Sequence, residues 1–137
     1  MKHEIALSEI GRTEIVEDLD DYQTLANGFI NRPRYTDSLD MLNNAALGIA
    51  GEGGEFADLV KKLKYHGHPH NNEVNKKILK ELGDVLWYVA QGCAGLGVTL
   101  SYVATMNIRK LHDRHGGEKF SESASIAKDE SKEATNL

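Results

Sequence analysis

The scarcity of proline constrains the fold of this chain more than any other feature of its sequence. Only two of its 137 residues are proline, at Pro33 and Pro69. Proline lacks a backbone N–H and clashes with the preceding helical turn, so the long stretches without it can form long helices. The alternation of apolar and polar residues that marks a strand is absent from the sequence. The sequence therefore predicts an all-α fold.

Four helices are predicted from the spacing of apolar residues and from residues that suit helix ends. The two prolines fall in the first two breaks between them. The predicted helices, each with a candidate cap at one end, span 19–30 after Asp18, about 38 to 64 after Asp37 or Ser38, about 73 to 96 before Gly97, and 100 to about 114 between Thr99 and Gly116.

The chain divides into three parts. Residues 1–17 have mixed charge and weak periodicity, and we expect them to form an N-terminal arm. Residues 18–120 hold the four helices and make one domain, as suits this length. Residues 121–137 are rich in Ser, Lys, Glu and Ala and have almost no bulky apolar side chain, so we expect a disordered tail.

Composition narrows the class of protein. A net charge of -5 argues against a general nucleic-acid binder, whose surface is usually basic. No 18-residue stretch is wholly apolar, and the N-terminus lacks the apolar core of a signal peptide, so we expect no membrane segment. The single cysteine, Cys93, fits a reducing compartment. We therefore expect a cytoplasmic protein.

Two short acidic motifs stand out, Glu52-Gly53-Gly54-Glu55 and Glu81-Leu82-Gly83-Asp84. Residues three apart on a helix share a face, so each motif pairs two carboxylates. At about 100° per residue, Glu52 falls inside the apolar arc of its helix, and the other three acids lie at the borders of theirs. Because a short break joins these two helices, we expect them to pack antiparallel, which can bring the two pairs together.

Such a cluster is costly without a cation. Two carboxylates about 5 Å apart repel by roughly 3 kcal/mol at an effective dielectric constant of 20. Oxygen ligands suit Mg2+ or Mn2+ rather than Zn2+, and Mg2+ can complete its shell with substrate phosphates. The alternative is a solvated face that pairs with lysines, which is the better interpretation of one acid pair but the weaker one of two. These lysines are Lys61, Lys62, Lys77 and Lys80.

Glycine is frequent beside the acids, and inside a helix it costs up to about 1 kcal/mol relative to alanine. Its presence suggests close approach of backbone or ligand at Gly51, Gly53, Gly54 and Gly83.

The fourth helix contributes a polar strip. Asn107 falls within its apolar arc, and Lys110 and Arg114 lie at the border. Two interpretations stay open: a structural hydrogen bond from Asn107 to a neighbouring helix, or a cationic strip that binds phosphate oxygens.

Two loops carry candidate ligands. A zinc site is one interpretation of the histidines in the second break, but alternate histidines beside a proline do not preset a tetrahedral site, so we expect a solvated loop. In the first break, basic and aromatic side chains could reach a base or phosphate, and exposed loop charge is the favoured interpretation. The residues concerned are His66, His68 and His70, then Arg32, Arg34 and Tyr35.

Three separated motifs resemble the MazG-like all-α nucleoside triphosphate pyrophosphatases. They are ALGIAGEGGE at 46–55, ELGDVLWY at 81–88, and NIRKL at 107–111 followed by Arg114. The resemblance covers about residues 19 to 120. It implies a four-helix, all-α bundle that forms homodimers or homotetramers. It also implies Mg2+-dependent hydrolysis, with Mn2+ as a substitute, of nucleoside triphosphates to the monophosphate and pyrophosphate, as in nucleotide-pool housekeeping.

The resemblance also implies roles for individual residues. Glu52, Glu55, Glu81 and Asp84 correspond to the metal ligands, and Glu52 or Glu55 is expected to act as the base on the attacking water. Substrate contacts are expected from Asn107, Lys110, Lys62, Arg114 and Tyr88. The chain departs from the family pattern at Gly54, where an acid is frequent, and after Arg114, where HGGEKF replaces R-Y-P-x-G-F. Both departures leave the four ligands intact.

Other functions stay open beside this one. One is a phosphoribosyl-ATP pyrophosphatase, a related all-α enzyme, against which the Trp87-Tyr88 pair and the Asn-x-x-Lys motif speak. Another is a helical module without activity, which assembles subunits or senses a nucleotide or alarmone. We further expect a homo-oligomer, because four helices would leave the side of the third helix that carries Trp87 and Leu96 partly uncovered.

Overall fold

The computed structural model describes residues 16–127, and regular structure there is helical throughout. A 3-10 turn, Arg32–Arg34, follows the first of five α-helices. The helices are α1 (Leu19–Asn27), α2 (Ser38–Tyr65), α3 (Asn72–Leu96), α4 (Leu100–His115) and α5 (Glu122–Ile126). The predicted all-α class is confirmed. The predicted N-terminal arm lies almost entirely outside the described residues.

Polar side chains cap the helices where the sequence places them. Asp18, Asp37, Asn71 and Thr99 each accept a hydrogen bond from a backbone N–H in the first turn that follows. Such caps satisfy donors that have no partner inside the helix. Two helices end at glycines with left-handed backbone, and a residue with a Cβ adopts that conformation at a cost. These are Gly97, with φ of 68°, and Gly116, with φ of 69°.

The first helix ends earlier than predicted. It stops at Asn27, whereas apolar spacing extended it to Ile30. Ile30 is nevertheless buried, because the chain turns back on itself after Gly28 and places that side chain in the core. Because an apolar residue can be buried from a turn as well as from a helix, apolar spacing alone could not locate the end of α1.

The antiparallel pair of α2 and α3 forms the centre of the molecule, and small residues let the two helices approach closely. A Cβ added at Gly48 would overlap the ring of Tyr88, and one added at Gly92 would lie 3.5 Å from the Cβ of Ala45. The hairpin thereby aligns the residues before Glu52 with those after Asp84.

The first helix covers one side of α3 and holds the start of α4. The indole N–H of Trp87 donates to the carbonyl of Ala26 at 3.1 Å. Gln23, which is buried, accepts from the backbone N–H of Leu100 at 2.7 Å, and Asp20 accepts from the N–H and hydroxyl of Ser101. Trp87 is therefore partly covered by α1 within the chain, whereas Leu96, on the side of α3 that was expected to be partly uncovered, is 64% exposed.

The fourth helix turns away from α3 by 100°. It therefore does not run alongside α2 and α3, and the described part of one chain does not form the expected four-helix bundle. Between residues 16 and 127, no single helix is long and apolar enough to cross a membrane, whereas α3 and α4 taken together as a bent pair meet that length and composition.

A fifth helix lies where a disordered tail was predicted. Ser121 caps α5 and also hydrogen-bonds through its backbone N–H to Nδ1 of His115 at 3.1 Å. The ring of Phe120 packs beside that of His115, and a cavity of about 260 Å³ opens against them. Local capping thus orders 121–127 despite their low hydrophobicity, and the remainder of the predicted tail lies outside the described residues.

Replacing Gly48 by alanine tests the close helix approach. Because the new methyl group must displace the Tyr88 ring, we expect Gly48→Ala to lower the free energy of unfolding by about 1–3 kcal/mol. Gly51→Ala is the matched control, since its Cβ meets nothing within 4 Å, and should stabilise the protein by up to about 1 kcal/mol. Urea unfolding at one fixed protein concentration measures both. Equal effects of the two variants would contradict the described packing.

Candidate functional site

Three of the four predicted acids meet at the seam between α2 and α3. One carboxylate oxygen from each of Glu52, Glu81 and Asp84 lies within 4.8 Å of the others. The antiparallel pairing creates this cluster, because it sets the middle of α2 against the first half of α3. Glu52 and Glu81 are half-buried, and Asp84 is exposed. The site therefore opens to solvent on the side of Asp84.

The fourth predicted acid, Glu55, lies beside the cluster and not within it. It is exposed and falls outside the group of three oxygens. Its charge is nevertheless one of the causes that raise the pKa of Glu52, so it lies within electrostatic reach. The spacing of the ExxE motif thus sends one carboxylate into the seam and leaves the other at its edge.

The cluster raises the pKa of Glu52 above the ordinary value of 4.5. Removal from solvent is the largest cause, followed by the negative charges of Asp84 and Glu81. A hydrogen bond with Glu81 and the charge of Glu55 act in the same direction. All five causes favour the protonated form of Glu52. A proton and a metal cation therefore compete for this carboxylate.

No lysine of the described chain neutralises these acids. Within residues 16–127, Glu52, Glu55, Glu81 and Asp84 make no ion pair with a basic side chain. The lysines after the ExxE motif pair with a different acid: Lys61 and Lys62 each lie 2.5 Å from the carboxylate of Asp58. The solvated, lysine-paired alternative therefore applies to Asp58 and not to the cluster.

The glycines beside the acids face open space. A Cβ added at Gly51, Gly53, Gly54 or Gly83 would meet nothing within 4 Å. The predicted close approach of backbone at these positions does not occur within the described residues. The glycines therefore leave the surface beside the carboxylates without a packed side chain.

The donor set suits a hard divalent cation. Carboxylate oxygens are the ligands that Mg2+, Mn2+ and Ca2+ take in proteins, and neither sulfur nor imidazole is among the clustered ligand atoms. Three or four negative charges that have no basic partner would gain from a cation that neutralises them. These residues therefore fit a metal ion, and the open side at Asp84 leaves room for ligands that the protein does not supply.

The side chains predicted to contact substrate are dispersed. The ring of Tyr88 is half-buried against Gly48, one turn from Asp84. Lys62 is committed to Asp58, although the charge of Glu55 also contributes to raising the pKa of Lys62.

The fourth helix carries the remaining three predicted residues away from the seam. Asn107 is exposed there, not buried in an apolar arc as predicted, because α4 diverges from α3 and has no helix against that face. Lys110 and Arg114 are half-buried. No hydrogen bond in the described chain joins Asn107 or Lys110 to the carboxylates.

Sequence reasoning missed one side chain near the site. Tyr22 of α1 is partly buried, and burial together with the charge of Asp84 raises the pKa of its phenol. Only tertiary packing places α1 there, so no local pattern could have found it. The histidine loop behaves as predicted: His66, His68 and His70 are exposed, and His70 hydrogen-bonds to Asn75 at 2.8 Å.

Comparison with known proteins agrees with this geometry. The family model described as MazG nucleotide pyrophosphohydrolase domain matches residues 42–117, which is more than half of the 137-residue chain and includes all four acids. The chain belongs to the MazG nucleotide pyrophosphohydrolase family. The resemblance inferred from its three motifs is thereby confirmed.

Two further comparisons add little about the substrate of this MazG protein. It is 42% identical over 79 residues to the Gene 37 protein of Mycobacterium phage L5, an alignment that covers 57% of this chain and 69% of the phage protein. No solved structure matches the chain. MazG membership implies a nucleotide pyrophosphohydrolase, and metal dependence is general for such enzymes.

The raised pKa of Glu52 predicts how pH controls metal binding. A metal ion must displace the proton that Glu52 holds, so Mn2+ affinity should rise with pH above 4.5, by up to about tenfold per pH unit while one proton is released. Without metal, the folded state gains stability as pH falls through the raised pKa, because protonation removes repulsion. Calorimetry of Mn2+ binding across this range, with thermal unfolding of the metal-free protein, measures both effects.

Glu52→Gln and Glu73→Gln form a matched pair for this test. Glu52→Gln should stabilise the metal-free protein at neutral pH and remove most Mn2+ binding. Glu73→Gln, in the exposed first turn of α3, should leave Mn2+ binding unchanged. Mn2+ affinity that is equal in both variants would remove Glu52 from the metal site.

Proposed function

We propose that this protein hydrolyses nucleoside triphosphates to the monophosphate and pyrophosphate with Mg2+ bound at Glu52, Glu81 and Asp84. The observation that carries the proposal is the meeting of these three carboxylates within 4.8 Å on a chain of the MazG family. A bare acidic surface would repel a polyphosphate. A bound divalent cation reverses that relation, because it attracts phosphate oxygens to the same carboxylates.

The metal would neutralise the phosphates and lower the pKa of a bound water. The chain itself supplies a base and a fixed direction of attack. A glutamate accepts a proton from water, whose oxygen forms a bond to the α-phosphorus. The bond from that phosphorus to the α–β bridging oxygen breaks, and pyrophosphate leaves with the bonding electron pair.

Position favours Glu55 as that base. Three carboxylates already converge on one point and serve as ligands, whereas Glu55 stands at the edge, exposed and without an ion pair in the described chain. A carboxylate beside the metal, rather than on it, keeps its lone pairs free for a proton. Glu52 would then serve as a ligand, because removal from solvent and the neighbouring negative charges, which raise its pKa, both favour neutralisation by a cation.

A nucleotide panel tests the reaction. With Mg2+, we expect the purified protein to release pyrophosphate from at least one NTP or dNTP. Glu55→Gln should lower kcat at least about a hundredfold and keep Mn2+ affinity within about threefold, because it removes a base and not a ligand. Glu73→Gln is the control and should keep full activity.

Each rival function gives a different result in that panel. Turnover of phosphoribosyl-ATP alone would assign the related histidine-pathway activity. Nucleotide binding without any product would indicate a sensor, and no Mg2+ or nucleotide binding would indicate a structural module. Any of these outcomes rejects the proposed reaction.

We also propose that the active form is a homodimer or homotetramer. Few apolar side chains of the described residues are fully buried, whereas large ones are exposed along α2 and α3. Three of those on α3, at positions 79, 82 and 86, follow the alternating three- and four-residue spacing of a helix-packing seam. On α2 the stripe includes Leu39, Ile49 and Val60, and on α3 it includes Leu79, Leu82, Leu86 and Leu96.

Assembly would also explain the position of α4. Since α4 diverges from α3 by 100°, Asn107 and Lys110 do not reach the carboxylates of their own chain. We propose that α4 of one copy delivers these two side chains to the acids of another. The three sequence motifs would then describe a site shared between chains.

Mixing two inactive variants tests a shared site. Glu55→Gln and Lys110→Ala should each be inactive alone. After unfolding and refolding together, random pairing should restore about a quarter of wild-type activity, because half the dimers are mixed and each holds one intact site. Light scattering reports the assembly itself. A monomeric mass, or no recovery from mixing, would contradict the shared site.

A further inference from the structure

The loop between α1 and α2 is fastened to α3 at two points on either side of its arginines. Before the loop, the carbonyl of Ala26 accepts from Trp87, which lies three residues after Asp84. After it, the hydroxyl of Tyr35 accepts from the Gln91 amide at 2.7 Å. The turn Arg32–Arg34 is therefore held near the stretch of α3 that begins beside the metal site.

The second fastening point is a buried polar network. The amide of Asn44 on α2 donates to both Tyr35 and Gln91, each at 3.0 Å, and Gln91 is only 1% exposed. A buried amide without these partners would cost about 1–3 kcal/mol, so the network fixes the loop in place. Tyr35 was expected on an exposed loop, and the structure instead makes it the anchor of that loop.

Helix geometry places this anchor over the same groove as the acids. At about 100° per residue, Gln91 and Asp84 lie within roughly 20° of one another on α3, and so do Asn44 and Glu55 on α2. Along the axes, Gln91 is about 10 Å from Asp84 at 1.5 Å per residue. The loop and the carboxylates are therefore two ends of one groove.

The α2 side of the groove is open at Gly51, whereas α1 flanks the α3 side, where its Ala26 accepts from Trp87 and its Tyr22 lies within electrostatic reach of Asp84. The ring of Tyr88 lies in the notch at Gly48 and forms part of its floor. Beside it, a Cβ at Gly51 would meet no atom within 4 Å. An extended ligand bound at the acids can reach the loop over this surface.

The loop that is anchored at the groove carries two cations. Arg32 and Arg34 are exposed, and neither makes an ion pair or side-chain hydrogen bond with residues 16–127. Guanidinium groups match phosphate oxygens in geometry and bind them in pairs of hydrogen bonds. A free pair of arginines at the far end of an acidic, metal-binding groove suits the end of a polyphosphate.

We propose that Arg32 and Arg34 bind the terminal phosphate of the substrate and orient the triphosphate along the groove. This inference rests on the proposed function. The carboxylates, through a bound metal ion, would hold the scissile α–β linkage. The terminal phosphate, which carries the most charge, would extend toward the arginines. The nucleoside then leaves the site in the opposite direction. The arginines would thereby select triphosphates over diphosphates.

The double variant R32Q/R34Q tests the proposal through the two products. Pyrophosphate occupies the sites of the β- and γ-phosphates, whereas the monophosphate occupies the other end. We expect the inhibition constant of Mg-pyrophosphate and the KM of the triphosphate to rise about tenfold, with kcat and the inhibition constant of the monophosphate changed less than about twofold.

Two further variants separate position from charge. Tyr35→Phe keeps the ring and removes the hydroxyl that accepts from Gln91, so it should raise KM and the pyrophosphate inhibition constant in the same pattern. Arg109→Gln removes an exposed charge from α4 and should change neither constant. Circular dichroism should show native helix content in all three.

The outcomes separate this proposal from the proposed reaction. Unchanged pyrophosphate inhibition in R32Q/R34Q, or weakened monophosphate inhibition instead, would overturn the role of the arginines while the hydrolase assignment stands. If the wild-type protein hydrolyses no nucleotide, the proposed function fails. Calorimetry of Mg-pyrophosphate binding then still tests the role of the arginines. Weaker binding by the double variant then supports the anion site. Equal binding, or no binding by the wild type, overturns it.

Discussion

The close approach of α2 and α3 at Gly48 is the constraint on which the site depends. Because Gly48 has no side chain, the ring of Tyr88 fits against the α2 backbone and fixes the alignment of the two helices. That alignment brings a carboxylate oxygen of Glu52 to within 4.8 Å of one from Glu81 and one from Asp84, so that the three could hold one metal ion. The packing thus holds together carboxylates that repel one another, and removal from solvent together with this repulsion raises the pKa of Glu52.

Two acids on α2 show that surroundings rather than residue type decide the role of a carboxylate. Asp58 lies one turn and a half after Glu52 and accepts hydrogen bonds from Lys61 and Lys62, which lower its pKa to about 2. Glu52 faces other acids, and its pKa moves the other way. The Asp58 carboxylate already has two cationic partners, so a metal ion would stabilise its charge little further. Glu52 gains a partner only when a cation binds.

Local patterns predicted much of this protein, and tertiary packing set the rest. Helix ends follow from the predicted caps at Asp18 and Thr99 and from the glycine stop at Gly97, and the acid pairs follow from i, i+3 spacing. The direction of α4 depends on contacts of its first turn with α1, so the exposure of Asn107 could not be read from its periodicity. Tyr35 and Tyr22 likewise act through partners far away in sequence.

The two sides of the α2–α3 hairpin differ in chemistry, and this division would let the proposed active site and the proposed subunit contact use different faces. At about 100° per residue, Ile49 and Val60 lie roughly 150° around α2 from the face that carries Asn44 and Glu55. On α3, Leu82 and Leu86 are displaced similarly from Asp84. One face of the hairpin therefore carries the acids and the polar network that anchors the arginine loop, and the opposite face carries the apolar stripe. If the stripes of two copies pair, as we propose, that contact lies away from the acids, and only α4 of the partner copy would reach them.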